Sequence, residues 1–336
     1  MLNFCTLFDV NYLSRGLAMY ESLFQHCRHF HLYVFAFDNQ SREVLTQLQL
    51  DRVTVISLTE FEDAQLLAIK PTRTRGEYCW TCTPSTIRYV LTHFPVDSCT
   101  YLDADLYFYA DPGVLLDELD GKSVLITEHR FSSRYEFALV NGKYCVQFVT
   151  FKNDAIGQQV LDWWRQACLD WCYQRLENGK FGDQKYLDDW TTRFPGIHEL
   201  QHLGGEVAPW NVQQYRLFSS NNQLFGQEIA SGQSFEVVFY HFHALRFMYQ
   251  NQVDLGEYVL SAPVEQLLYR PYLRHLEKLK VTLQQIDPDI RPNEEVRPKK
   301  GLDNYRNRVR KVFQGWSHNV YDKTEFLNYP WPESLI

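Results

Sequence analysis

The stretch Tyr101-Leu102-Asp103-Ala104-Asp105-Leu106-Tyr107 decides how the rest of the chain is read. It continues a short apolar run, Cys99 to Leu102, that reads as a buried strand. Two carboxylates then leave that strand at i and i+2. One turn at the strand end swings both onto a single hard cation, because such ions take carboxylate oxygens. A cation held there would bridge two phosphates, neutralise them and activate a leaving group. Asp-x-Asp alone is common in loops. The apolar strand before it and the pattern upstream give it weight.

Working outward, Leu2 to Phe8, His31 to Phe37 and Val53 to Leu58 read as strands, with helical stretches at Leu17 to His26 and Glu43 to Leu48 between them. Strands alternating with helices predict an α/β fold with a mixed, mainly parallel central sheet flanked by helices. In such sheets ligands sit outside the carboxyl ends of the strands. That places Asp9, Asn11 and the segment after Leu102 on the binding side. Downstream, Thr83 and Pro84 suggest the cap and first position of a helix over 84–94. Lys122 to Thr127 and Cys145 to Phe151 read as strands, Ala155 to Arg175 as a Trp-rich helix, and Phe235 to His243 as a β-type segment. A second, helical part begins near residue 263, so the division expected is 1–262 and 263–336.

Several motifs in order resemble glycosyltransferase family 8, whose members are retaining enzymes of the GT-A fold. Phe8-Asp9-Val10-Asn11-Tyr12 resembles that family's Thr-Asp-Asp-Asn-Tyr. Ser85-Thr86-Ile87-Arg88 falls where it has a small residue and an arginine. Tyr101 to Asp105 matches its Tyr-Leu-Asp-x-Asp, and Gly182 to Leu187 its Asp-Gln-x-x-Leu segment. Pro209-Trp210-Asn211 is similar to its Pro-x-x-Trp-Asn. Tyr240-His241-Phe242 stands at its metal-binding histidine. The resemblance covers residues 1–250. It implies Mn²⁺ or Mg²⁺ on Asp103, Asp105 and His241, with His243 the alternative ligand. It implies Asp9, Asn11 and Tyr12 at the base and ribose of a UDP-linked donor, and Arg88, Asp183 and Gln184 at the donor sugar. Where the family has an asparagine near the sugar this chain offers Gln147, and Arg246 stands in for a later lysine on the pyrophosphate. The acceptor implied is a hydroxyl of a glycan, a lipid-linked sugar or a protein. Trp210 is a sugar-stacking candidate.

Composition narrows the alternatives. The chain has 336 residues, 45% hydrophobic and 22% charged, which is globular. A net charge of −8 argues against general nucleic-acid binding. No apolar run approaches the ~18 residues of a membrane span, and the N-terminus lacks a secretory pattern. A cytoplasmic protein is expected, with its eight cysteines as reduced core thiols. Cys79 and Cys82 have thioredoxin-like spacing, but a polar loop precedes them and a redox role is disfavoured. A nucleotidyltransferase would want a Gly-rich basic loop after the first strand, and Asp9 to Gly16 holds one Arg and one Gly. A non-catalytic glycan-binding protein is the other alternative, and the intact acid pair argues against it. Residues 291–316 carry eight Lys/Arg against three acids, net +5, on a body of net −13. Tyr305, Val309, Val312, Phe313 and Trp316 recur there at helical spacing. That pattern suits peripheral contact with an anionic membrane or packing on the acidic body.

Overall fold

The computed structural model describes residues 1–293, 295–297 and 319–329. Its centre is a seven-stranded sheet. The strands in chain order are β1 (Leu2–Phe8), β2 (Phe30–Ala36), β3 (Val53–Ser57), β4 (Ser98–Leu102), β6 (Val124–Glu128), β7 (Tyr144–Lys152) and β8 (Ile197–Glu199), while β5 (Leu106–Phe108) lies outside the sheet. The spatial order is β3-β2-β1-β4-β7-β6-β8. β3, β2, β1 and β4 are parallel, β7 runs against its two neighbours, and β8 is parallel to β6. The mixed, mainly parallel sheet flanked by helices is therefore as expected.

Side-chain alternation explains the two layers of core. In β1, Phe4 and Phe8 point into one apolar cluster and Cys5 and Leu7 into the other. In β2, Leu32, Val34 and Ala36 share the first cluster, and Tyr33 and Phe35 the second. A strand covered on both faces reads as a continuous apolar run, which is why these strands were visible in the sequence. Helix Leu13–His26 covers the first face together with helix Arg270–Ile286. Helices Arg75–His93 and Ala155–Asp170 cover the second.

The helix expected over 84–94 begins much earlier, at Arg75. Its cap is Thr74, whose hydroxyl accepts from the Glu77 amide at 3.4 Å while the Glu77 carboxylate accepts from the Thr74 amide at 2.9 Å. This reciprocal box satisfies two of the amide donors that every helix start leaves open. Pro84 thus sits inside the helix, where it removes one backbone bond at a cost of about 3 kcal/mol. Burial of Tyr78, Cys82, Ile87, Val90 and Leu91 along the same helix outweighs it. Cys79 and Cys82 accordingly lie in a helix, not a loop. Burial pushes the Cys79 thiol up to about 12 and Cys82 well above its usual range. Both stay protonated and are poor nucleophiles.

Past the sheet, β9 (Tyr215–Ser220), β10 (Gln223–Glu228) and β11 (Ser234–Glu236) form an antiparallel meander. The segment expected as one strand over 235–243 is split: β11 ends at Glu236, and β12 (Phe239–His241) pairs antiparallel with β5 instead. A last sheet, ordered β15-β13-β14-β16, joins β13 (Arg246–Met248) and β14 (Gln252–Asp254) to β15 (Glu295–Val296) and β16 (Val320–Asp322). The helical stretch expected over 264–285 is helix Arg270–Ile286, preceded by a short wider turn. Leu268, Tyr272, Leu273, Leu276, Leu279 and Leu283 bury into the same cluster as Phe4 and Phe8. The apolar stripe Tyr305 to Trp316 lies outside the described residues. Among the described residues no helix is long and apolar enough to cross a membrane.

Gly16 lets helix Leu13–His26 settle on the end of β1, because a Cβ there would run into the buried ring of Phe8. Gly16→Ala should therefore destabilise the protein by about 1–3 kcal/mol through overpacking, seen as a lower midpoint in thermal denaturation.

Candidate functional site

The site forms where β4 ends. Asp103 follows the last residue of β4, and its amide donates to the Gln147 carbonyl on neighbouring β7 at 3.0 Å. The Leu106 amide returns to the Asp103 carbonyl at 3.3 Å, so the chain turns sharply and carries both carboxylates to one side. β5 then pairs with β12 in a register that sets His241 opposite Leu106. The Phe242 amide bonds the Asp105 carbonyl at 3.0 Å and completes the join. The His241 Nε2 consequently lies 3.1 Å from an Asp105 oxygen and 3.8 Å from an Asp103 oxygen. One ligand atom from each of the three residues falls within 4.8 Å of the others. Side-chain exposures of 33% for Asp103, 14% for Asp105 and 5% for His241 describe a site open on the Asp103 side.

Electrostatics fit a cation. Burial raises the Asp103 carboxyl to about 6, against the pull of His241. Burial also opposes the charge on Asp105, yet His241, by charge and hydrogen bond, holds that carboxyl below its usual range. His241 itself is raised: burial disfavours its charged form, but the Asp105 charge and hydrogen bond, then Asp103, more than offset this. The two carboxylates thus favour positive charge at the imidazole beside them. Two carboxylate oxygens and an imidazole nitrogen form a donor set that suits a divalent cation.

The Pro209-Trp210-Asn211 segment lies behind His241. Trp210 packs edge-on against the His241 ring at 5.3 Å and the His243 ring at 5.4 Å, and its indole N–H bonds the His129 carbonyl at 2.8 Å. The Asn211 amide nitrogen bonds the same carbonyl at 3.0 Å. At 3% exposure Trp210 has no face to offer a sugar; it orients the histidine, which corrects the stacking expectation. His243 is exposed at the rim and stands outside the three-ligand set.

Asp9 follows β1 and caps the turn Val10–Tyr12, accepting from the Asn11 amide at 2.8 Å. Its other oxygen pairs with Arg75, which also reaches Asp38 at 3.4 Å. Burial raises the Asp9 carboxyl, Arg75 pulling it back. Tyr12 is exposed on this turn, with Asp105 and Asp103 near enough for their charges to act on its hydroxyl. Asp183 follows Gly182, which takes the left-handed φ of +53° needed to turn the chain inward. Burial, and next the Asp103 charge, push the Asp183 carboxyl up to about 7. The Gln184 side-chain amide donates to the Asn141 carbonyl at 3.0 Å.

Two other candidates, Arg88 and Gln147, are placed differently from expectation. Arg88 does not reach the acid pair: it bonds Asp162 at 2.8 Å on the outer surface. Thr86 is the buried face of its helix, and two residues on is ~200° around it. Gln147 is fully buried beneath the site and donates to the carboxylate of Glu206, leaving its amide no access to a ligand. Arg246 is exposed at the start of β13, opposite Asp254 in register.

Glu206 was not expected. It is 1% exposed, and burial pushes its carboxyl up to about 8, so it is largely neutral near pH 7. The signal available was its isolation as the lone charged residue between Leu203 and Tyr215. Arg15, buried at 4% exposure and acting on Asp105, was missed because it reads as an ordinary polar position in an amphipathic helix.

No family model matches the chain. It is similar to two proteins of Bacillus subtilis (strain 168). One is named uncharacterized protein YfnD, at 28% identity over 294 residues, covering 86% of this chain and 93% of that protein. The other is named uncharacterized protein YfnF, at 28% over 297 residues, covering 85% and 95%. Among solved structures, it aligns with the galactosyltransferase LgtC bound to donor and acceptor sugar analogues, at TM-score 0.46 and 11% identity, covering 72% of this chain and 87% of that one. It aligns with apo mouse xyloside xylosyltransferase 1 at TM-score 0.45 and 14% identity, covering 72% and 98%. With the apo bifunctional glycosyltransferase WbbM the values are 0.41 and 15%, over 62% of this chain and 39% of that one.

A cation needs a neutral His241 imidazole and an ionised Asp103, and the fold raises the proton affinity of both. Mn²⁺ affinity measured by calorimetry should therefore climb between pH 5.5 and 7.5, by about tenfold per unit where one proton is released. A flat profile would contradict this assignment. Glu206 has the opposite linkage to a salt-bridged acid. Its folded carboxyl is raised from 4.5 to about 8, so the folded chain binds more protons than the unfolded one in that window and stability falls as pH rises through it. Glu206→Gln cannot ionise. It should raise the melting temperature relative to wild type at pH 8.5, with little difference at pH 5.

Proposed function

We propose that the chain transfers a sugar from a UDP-linked donor to a hydroxyl acceptor, with retention at the anomeric carbon, as in glycosyltransferase family 8. The observation that carries this reading is the convergence of Asp103, Asp105 and His241 at the carboxyl ends of parallel strands. The turn Asp9–Tyr12 and the acid Asp183 adjoin them. The ordered motifs of the sequence agree with it.

In this reading Asp103, Asp105 and His241 hold Mn²⁺ or Mg²⁺, which when bound supplies positive charge for the departing diphosphate. Asp9, Asn11 and Tyr12 bind the nucleoside, and His243 and Arg246 reach the diphosphate from the rim. The C1–O bond to the diphosphate breaks as the acceptor oxygen bonds to C1 on the same face, and the acceptor proton passes to the departing phosphate oxygen. Asp183 stabilises the oxocarbenium-like carbon between the two events, with Gln184 orienting the sugar. Asp183 must be ionised to do this, and its raised pKa limits activity on the acid side of about pH 7.

Asp103→Asn and Asp105→Asn should each lower Mn²⁺-dependent turnover of the UDP-sugar by about 10³-fold or more, with the melting temperature held near that of wild type. The assay is donor hydrolysis or transfer across a panel of UDP-sugars with and without Mn²⁺. Wild-type rates in the double variant would remove the reading.

A further inference from the structure

We infer that Arg15 is the positioning residue of the donor site, its guanidinium tying the Val10–Tyr12 turn, the loop after β12 and the C-terminal segment at Asn293 into one arrangement. This rests on the donor-site reading above and extends it to residues far from any motif.

Arg15 lies in the first turn of helix Leu13–His26 and is buried at 4% exposure. A charge taken out of water persists only where hydrogen bonds satisfy it. Here the acceptors come from three separate parts of the chain. Nη1 donates to the Asn11 carbonyl at 3.2 Å and to the Asn293 Oδ1 at 3.4 Å. Nη2 donates to the Leu245 carbonyl at 3.2 Å. The planar group also lies over the Tyr12 ring, 4.5 Å from its centroid. Ser14 adds a second bond from the helix to Asn293, its hydroxyl donating to Oδ1 at 2.6 Å.

Each tethered segment carries residues of the proposed site. Asn11 and Tyr12 belong to the nucleoside turn. Leu245 lies between His243 and Arg246 in a loop that leaves His241 and holds Ala244 at φ +65°, a left-handed conformation that a residue with a Cβ adopts only when its neighbours impose it. Asn293 follows helix Arg270–Ile286 and stands beside β15, which pairs with β13 on the far side of that loop. One fork-shaped cation thereby sets the distance between the nucleoside turn and the rim residues, and the C-terminal segment becomes part of the site. A lysine has one point of charge and cannot bond three acceptors in a plane.

The test uses the full-length chain in wild-type, Arg15→Met, Arg15→Lys and Asn293→Ala forms. Hydrogen exchange on the ligand-free protein should rise in residues 242–246 and 290–293 for Arg15→Met, while the central sheet stays at its wild-type rate. UDP affinity in the presence of Mn²⁺ should fall by about tenfold or more, while Mn²⁺ affinity alone does not fall. Arg15→Lys should recover part of the UDP affinity, and millimolar guanidinium should restore part of it to Arg15→Met. Asn293→Ala should shift both readouts in the same direction by less. Faster exchange with unchanged UDP affinity overturns the positioning role. Lost affinity with unchanged exchange also overturns it, since Arg15 would then act on the ligand itself. If wild type binds no UDP, the donor-site reading fails and the positioning role with it; exchange alone then decides whether Arg15 ties the three segments.

Discussion

The site depends on a three-residue ladder. β5 and β12 pair over Leu106 to Phe108 and Phe239 to His241, and that register puts the imidazole beside two carboxylates distant from it in the chain. Because side chains alternate along a strand, a slip of one residue would turn His241 away and bring a core aromatic to the acids. The ladder is short and is braced from outside. The Tyr107 hydroxyl meets His275 Nδ1 at 3.2 Å, and His275 Nε2 meets Glu21 at 2.7 Å. Helices Leu13–His26 and Arg270–Ile286 are thereby joined to the strand that follows Asp105. Phe242 stacks on Tyr272 with ring centroids 3.7 Å apart, which anchors the other end of the ladder to the same helix.

The arrangement costs stability. Asp103, Asp183 and Glu206 all have carboxyls raised by burial, so the folded chain disfavours their ionised forms. Asp105, beside them, is held the other way by His241, so neighbouring carboxyls differ in charge preference. The apolar clusters on both sheet faces supply the compensation. The site sits where β4, the middle strand of the sheet, ends.

The same logic accounts for the segment beyond residue 262. Its leucines and tyrosines complete the cluster that contains Phe4 and Phe8, and its Asn293 meets Ser14 and Arg15 in the interior. It covers one face of the sheet and also braces the residues around the acid pair.

The sheet and the acid pair were legible in the sequence because both are local signals. Strands buried on two faces appear as apolar runs, and Asp103 and Asp105 stand two residues apart at the end of one. The start of helix Arg75–His93 was misplaced although its capping box, Thr74 and Glu77, was present: Thr83-Pro84 imitates a helix start, and burial of the helix lets Pro84 remain inside it. Arg88 was set near the acids by order along the chain, but the angle around a helix, fixed only once Thr86 is buried, sends it to the surface. Gln147, Trp210, Glu206 and Arg15 have roles that depend on which strand or loop lies behind them, and no spacing in the chain carries that information. The sequence alone thus determined where strands end and which carboxylates leave them. Tertiary structure decided which histidine meets those carboxylates, which buried acid stays neutral and which arginine is enclosed, because each of these follows from a contact between segments that only the packed sheet brings together.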